Sequence, residues 1–120
     1  MSLTKEQIKL LTDNNVIVLA TSDLENNPRA IFVEINKVEP DKIIITDNQM
    51  DRTKNNLLEN RKVFIVAFKK DYSYGLKISG EAEYHTEGNY LDFVKNLETN
   101  KKFSPKGAIV INIKEIREFT

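Results

Sequence analysis

Leu76-Lys77-Ile78-Ser79-Gly80-Glu81-Ala82-Glu83-Tyr84-His85 alternates an apolar or small residue with a polar one through its whole length. Successive side chains of a β-strand point to opposite faces, so this segment predicts a strand with one face in a core and the other in water. An antiparallel sheet, wet on one side, is the usual home of such a strand. Just upstream, Lys62 to Phe68 also reads as strand, with Val63, Ile65 and Ala67 opposite Phe64, Val66 and Phe68. The loop between them carries Tyr72, Ser73 and Tyr74; its two aromatics suit either a planar ligand or the end of a core.

Further out, Val16 to Thr21 is β-branched and apolar on both parities, as expected of a strand covered on both faces. Arg29 to Val38 is a long strand with Ile31, Val33 and Ile35 on one face and Ala30, Phe32, Glu34 and Asn36 on the other. The polar residues ending that second face predict that it becomes wet or liganded there. Glu39-Pro40-Asp41 turns the chain into Lys42 to Thr46, so these two strands form a hairpin. Gly107 to Ile113 supplies a sixth strand, with Ile116 and Phe119 in an interacting tail.

One helix precedes the strands and two interrupt them. Thr4 and Gln7 have capping-box spacing ahead of a helix from Lys5 to Leu11. Asp51 to Asn60 reads as a short helix capped by Asp51 and anchored by Leu57 and Leu58. Thr86 would cap a third, Gly88 to Glu98, whose Tyr90, Leu91, Val94 and Leu97 recur at helical spacing. The expected fold is mainly β with minor α, a small antiparallel barrel or sandwich with helices at its ends. At 120 residues the chain is expected to be one domain, residues 1–120.

Composition narrows the chemistry. With no cysteine and a single histidine, disulfides, thiolate metal sites and imidazole clusters are excluded, and no metal site is expected. Eighteen basic residues balance eighteen acidic ones, so the broad positive field needed for nonspecific nucleic-acid or anionic-membrane binding is missing. No apolar run approaches the roughly 20 residues of a membrane span, and the expectation is a cytoplasmic protein. Nucleophile motifs, phosphate-binding glycine loops and dinucleotide fingerprints are also absent, so no catalytic residue is assigned. Any redox or group-transfer chemistry would then belong to a bound cofactor.

One segment is out of keeping with its setting. Met50-Asp51-Arg52-Thr53-Lys54 places two cations in the first turn of a helix, where the partial positive charge of the helix end favours acids. An anion would relieve the conflict, since backbone N–H groups, the Thr53 hydroxyl and the flanking cations together make a phosphate cradle. The competing reading is a surface helix whose basic side chains point into water. Arg29 opens a neighbouring strand and offers a third cation. His85 ends the polar face of its strand and reads as a solvated or hydrogen-bonded histidine.

The order of these pieces resembles a known family along nearly the whole chain. Val16 to Thr21, Asn27-Pro28-Arg29-Ala30, Ile43 to Thr46, Arg52-Thr53-Lys54-Asn55-Asn56-Leu57-Leu58-Glu59-Asn60 and Ile78-Ser79-Gly80-Glu81-Ala82-Glu83 are similar to segments of the pyridoxamine 5′-phosphate oxidase-like split barrels, above all the short FMN-binding flavoproteins. The resemblance implies a six-stranded antiparallel Greek-key split β-barrel and a homodimer with FMN at the interface. Position by position it implies that Arg52, Thr53 and Lys54 hold the phosphate, with Thr46 beside it and Arg29 as a secondary phosphate or ribityl ligand. Ile31, Phe32, Val33 and Glu34 would line the flavin ring, and Phe103 would cover it from the partner subunit.

Two departures bear on activity. Glu34 falls where the oxidases have a basic residue, and the long C-terminal segment with which true pyridoxamine phosphate oxidases bind substrate is absent. An FMN-dependent oxidoreductase with another small-molecule substrate is therefore expected; the alternative is a non-catalytic flavin carrier or electron-transfer module. A barrel binding haem or a deazaflavin, or one without cofactor, forms a third class.

Overall fold

The computed structural model describes residues 2–119. Its elements run α1 (Lys5–Asp13), β1 (Val16–Ser22), β2 (Pro28–Val38), β3 (Lys42–Asp47), α2 (Arg52–Glu59), β4 (Lys62–Phe68), β5 (Gly75–His85), α3 (Asn89–Lys95), a 3₁₀ turn (Glu98–Asn100) and β6 (Gly107–Phe119). The six antiparallel strands close into a barrel in the order β1-β2-β3-β6-β5-β4. Strands β3 and β4 follow one another in sequence but are not neighbours, because α2 carries the chain across so that β4 pairs with β1. Of the barrel and the sandwich that the strand pattern allowed, the chain forms the mainly β, six-stranded antiparallel barrel with short helices that the family resemblance implied.

The barrel interior is filled by one face of each strand. Ile17 and Leu19 of β1, Ile43 and Ile45 of β3, Ile65 of β4, Leu76 and Ile78 of β5, and Ile109 and Ile111 of β6 are all essentially inaccessible to solvent. Leu3, Leu10 and Leu11 bring α1 against this core. Its N-terminus is fixed by reciprocal bonds: the Gln7 N–H donates to Thr4 Oγ1 at 3.1 Å, and the Thr4 N–H to Gln7 Oε1 at 2.9 Å. Outside the barrel, Leu91 and Val94 of α3 pack on Ile44, Ala108 and Val110.

Five expectations need correction. The first helix runs two residues beyond Leu11, to Asp13. Leu58 is 61% exposed, because a helix of eight residues has room for one buried stripe and Thr53, Asn56 and Leu57 occupy it. Asp51 makes no capping bond to α2, and Thr86 makes none to α3, which starts at Asn89 behind Gly88. The last strand does not stop at Ile113: it continues to Phe119, pairing Ile116 with Ile78 and Phe119 with Gly75. A register shift hides that continuity, since Gly80 faces Ile113 while Ser79 faces Glu115, which leaves Lys114 as an extra residue. The shift moves the inward positions from odd to even numbers. Gly80 is needed there, as a Cβ would lie 2.7 Å from the Asn112 carbonyl oxygen.

Candidate functional site

A second shift opens the barrel. Along Pro28 to Glu34, β2 pairs with β1 residue by residue, but it meets β3 only at Ile35, Lys37 and Val38, with Asn36 as a bulge. Meanwhile β3 stays on β6 as far as Asp47, opposite Gly107. The two strands therefore diverge, and the split between them is a cleft of about 580 Å³. Its walls are β2 from Arg29 to Asn36, whose edge is free as far as Glu34, and the segment from Thr46 to Thr53; Thr99, Asn100 and Phe103 cover one end. Both faces of β2 contribute because the cleft approaches the strand edge-on.

Nine of the ten residues singled out in the sequence line this cleft: Arg29, Ile31, Phe32, Val33, Glu34, Thr46, Arg52, Thr53 and Phe103. Lys54 does not. Its ammonium lies 5.4 Å from the centre of the Tyr84 ring, a cation–π contact that turns it from the cleft.

One end of the cleft gathers two cations. Arg29 and Arg52 come from different elements, and neither forms an ion pair among the described residues. The first backbone bond of α2 runs from the Asn55 N–H to the Asp51 carbonyl at 3.0 Å, so the N–H groups of Arg52, Thr53 and Lys54 precede it. Thr53 is almost fully buried at the cleft wall, and its hydroxyl has no hydrogen-bond partner among the described residues.

A buried carboxylate fixes the approach to this helix. Asp47 is wholly buried and accepts the Met50 N–H at 2.7 Å and the Tyr84 hydroxyl proton. Lys106 donates to the Met50 carbonyl at 2.6 Å and stands 4.0 Å from Asp47. Met50 is thus gripped through both backbone groups, which sets the path of the chain into α2. Burial, and secondarily the bond to Asp47, push the Tyr84 phenol far above its ordinary range. Its ring lies so close to Gly107 that a Cβ there would come within 2.5 Å of it.

The wall nearer the bulge is neutral and amide-rich. Asn100 donates to the Val94 carbonyl at 2.9 Å and to Thr46 Oγ1 at 2.8 Å; Thr46 donates to Asn36 Oδ1 at 2.6 Å; Asn48 donates to Asn100 Oδ1 at 3.2 Å. Asn48 Oδ1 is buried without a partner among the described residues. Glu34 accepts from Asn15 at 3.2 Å, five strand steps or about 17 Å from Arg29. Between these charged ends lie Ile31, Phe32 and Val33, with Phe32 74% exposed. The cleft therefore has a cationic end, an apolar middle and a neutral hydrogen-bonding wall.

Asp47, Asn48, Asn100, Tyr84 and Lys106 carried no signal in the sequence, since each acquires its role through a distant partner. Asn36 did carry one, as the polar end of an otherwise apolar strand face. His85 lies outside the cleft, 2.9 Å from Glu83 and beside the Tyr90 ring. Tyr72 stacks on Phe68 and Tyr74 packs against the core, so neither reaches the cleft. Among the described residues there is no cluster of acidic and histidine side chains able to hold a metal ion, and no helix long and apolar enough to cross a membrane.

Comparison with known proteins places this arrangement. An uncharacterized protein of Methanocaldococcus jannaschii is 37% identical over 97% of this chain and 80% of its own length. HupZ of Group A Streptococcus superposes with a TM-score of 0.88 at 24% identity, covering 98% of this chain and 94% of that one. An FMN-binding protein from Syntrophomonas wolfei superposes at 0.77 with 23% identity, covering 94% and 83%. The profile of pyridoxamine 5′-phosphate oxidase matches residues 3–120, and with it the sequence order, the barrel and its split come together: the chain belongs to the pyridoxamine 5′-phosphate oxidase family.

Proposed function

We propose that this protein binds FMN in the split between β2 and β3, with its phosphate at the start of α2, and acts as a flavin-dependent oxidoreductase on a small molecule. The observation that carries the reading is the pair of unpaired guanidiniums, Arg29 and Arg52, converging with the uncapped start of α2 on one end of an otherwise apolar cleft. Their chemistry fits a terminal phosphate. Guanidinium groups and free helix N–H groups are the donors that a dianion takes up, and the Thr53 hydroxyl adds one more. Ile31 and Val33 would exclude water from a flat ring, and the amides of the opposite wall suit its polar edge. Bound FMN would supply the electron-accepting chemistry, which no side chain here provides.

A homodimer belongs to the same reading. The outer surface of β2, β1 and β4 carries two adjacent apolar rows set by register, Phe32–Val18–Val66 and Ala30–Ala20–Phe64. Phe32 and Phe64 are 74% and 38% exposed, and a second copy would cover them. Because Phe32 also lines the cleft, that copy would close the site.

Purified protein should retain the visible absorption bands of FMN after excess ligand is removed, and Arg29→Glu with Arg52→Glu should abolish that retention. Wild-type protein that retains none would overturn the reading. NAD(P)H oxidation with an electron acceptor, compared with flavin exchange to a partner protein, separates an oxidoreductase from a carrier.

A further inference from the structure

We propose that Asn36 is a hydrogen-bond donor of fixed polarity in the cleft, selecting a planar ligand that presents an acceptor atom and gains negative charge on reduction; the proposal rests on the flavin reading above. The bulge brings Asn36 to the cleft wall: as the unpaired extra residue of β2, its side chain is freed from the alternation that governs Ile31, Val33 and Ile35.

Its polarity follows from proton counting. The Val94 carbonyl can only accept, so the Asn100 atom 2.9 Å from it is the amide nitrogen. That nitrogen also donates to Thr46 Oγ1 at 2.8 Å, which leaves the single Thr46 proton for Asn36, 2.6 Å away. The Asn36 atom there must therefore be its oxygen. Turning the Asn36 amide over would leave the Thr46 hydroxyl proton without an acceptor. Asn48 closes the chain behind by donating to Asn100 Oδ1 at 3.2 Å.

Asn36 lines the cleft, and its Nδ2 has no partner among the described residues. A backbone carbonyl some 60 residues distant in sequence thus dictates that Asn36 keeps its N–H group free. Such a donor strengthens its bond as the ligand's acceptor atom becomes more negative, so it favours the reduced over the oxidised form. Asn36 would touch the ligand; Thr46 and Asn100 act through it as positioning residues.

The test compares wild type, Asn36→Leu, Asn36→Asp and Asn100→Leu, measuring Kd for oxidised FMN and for dithionite-reduced FMN, with thermal unfolding as a fold check. Asn36→Leu should lower the preference for reduced FMN by about two- to tenfold, the weight of one hydrogen bond. Tenfold corresponds to about 30 mV in the bound midpoint potential. Asn36→Asp, which is isosteric but repels negative charge, should lower it further, and Asn100→Leu should move it in the same direction by less. An unchanged preference in both Asn36 variants overturns the inference while leaving FMN binding intact. A wild type that binds neither form overturns the ligand reading instead. In that case the polarity is still decided without ligand: Thr46→Val should move the Asn36 Cγ carbonyl resonance upfield and leave its Nδ2 protons nearly in place, and displaced Nδ2 protons with an unmoved Cγ would overturn it.

Discussion

Arg52 and Lys54 stand two residues apart on the same short helix, yet they have different surroundings. Arg52 lines the cleft without a counter-ion among the described residues, whereas Lys54 is held over the Tyr84 ring. Charge-assisted bonds to an anion are worth about 1.5–3 kcal/mol each. Arg52→Glu should therefore weaken FMN binding by more than that amount, through loss of one bond and added repulsion, while Lys54→Met should change it by less than about 1 kcal/mol. Isothermal titration of both variants measures the contrast, and equal losses would contradict it. Gly107 is tied to the same neighbourhood by space rather than charge. Gly107→Ala drives a methyl group into the Tyr84 ring and should cost about 1–3 kcal/mol in urea unfolding, because neither the ring nor its bond to Asp47 can move without exposing a buried carboxylate.

At the level of elements, what could be read from the sequence depended on how far a segment's partners lay. The alternation of β5 and the capping box of α1 are local, and both emerge as read. Thr4→Ala should accordingly cost about 1 kcal/mol, with the loss confined to α1 in hydrogen exchange. The end of β6 was hidden because one extra residue, Lys114, shifts the parity, so Ile116 looks out of phase in the sequence although it pairs with Ile78. Leu58 was misplaced for a related reason: adjacent apolar residues on a helix are about 100° apart, and only Leu57 falls on the buried stripe. In the cleft, the cationic end was legible because misplaced charge is a local signal. The amide wall was not, since Asn100 reaches Thr46 across 54 positions and nothing nearby marks it. Such a contact exists only after the barrel closes.

For the molecule as a whole, part of the pH response comes from two groups outside the cleft. Burial, aided by Glu118, raises the Tyr74 phenol from 10.0 to about 12. Folding therefore favours the neutral form: this contribution is complete below pH 10 and is lost as pH climbs towards 12. Tyr74→Phe should flatten that alkaline limb in urea titrations. At the acid end, hydrogen bonds from Asn112 and then His85 hold the Glu83 carboxyl below its ordinary 4.5. Its contribution is present above that value and disappears as pH falls through the lowered one, so Glu83→Gln should reduce the acid sensitivity. At the scale of assembly, Phe64→Glu places a charge in the apolar row on β4 and should give a monomer in sedimentation at micromolar concentration, with weaker FMN retention.

The split that makes the cleft also leaves Pro28 to Glu34 of β2 with no strand on one side among the described residues. A row of unpaired backbone groups is a template on which another chain can grow a β-ribbon, and Phe32 beside it, exposed in a single subunit, makes such growth adhesive. A ligand seated in the split would act as a plug against amyloid-like stacking. Turbidity on slow heating should therefore rise earlier in flavin-stripped protein than in protein saturated with FMN, and the supply of cofactor during synthesis would govern how much of the chain reaches its soluble form.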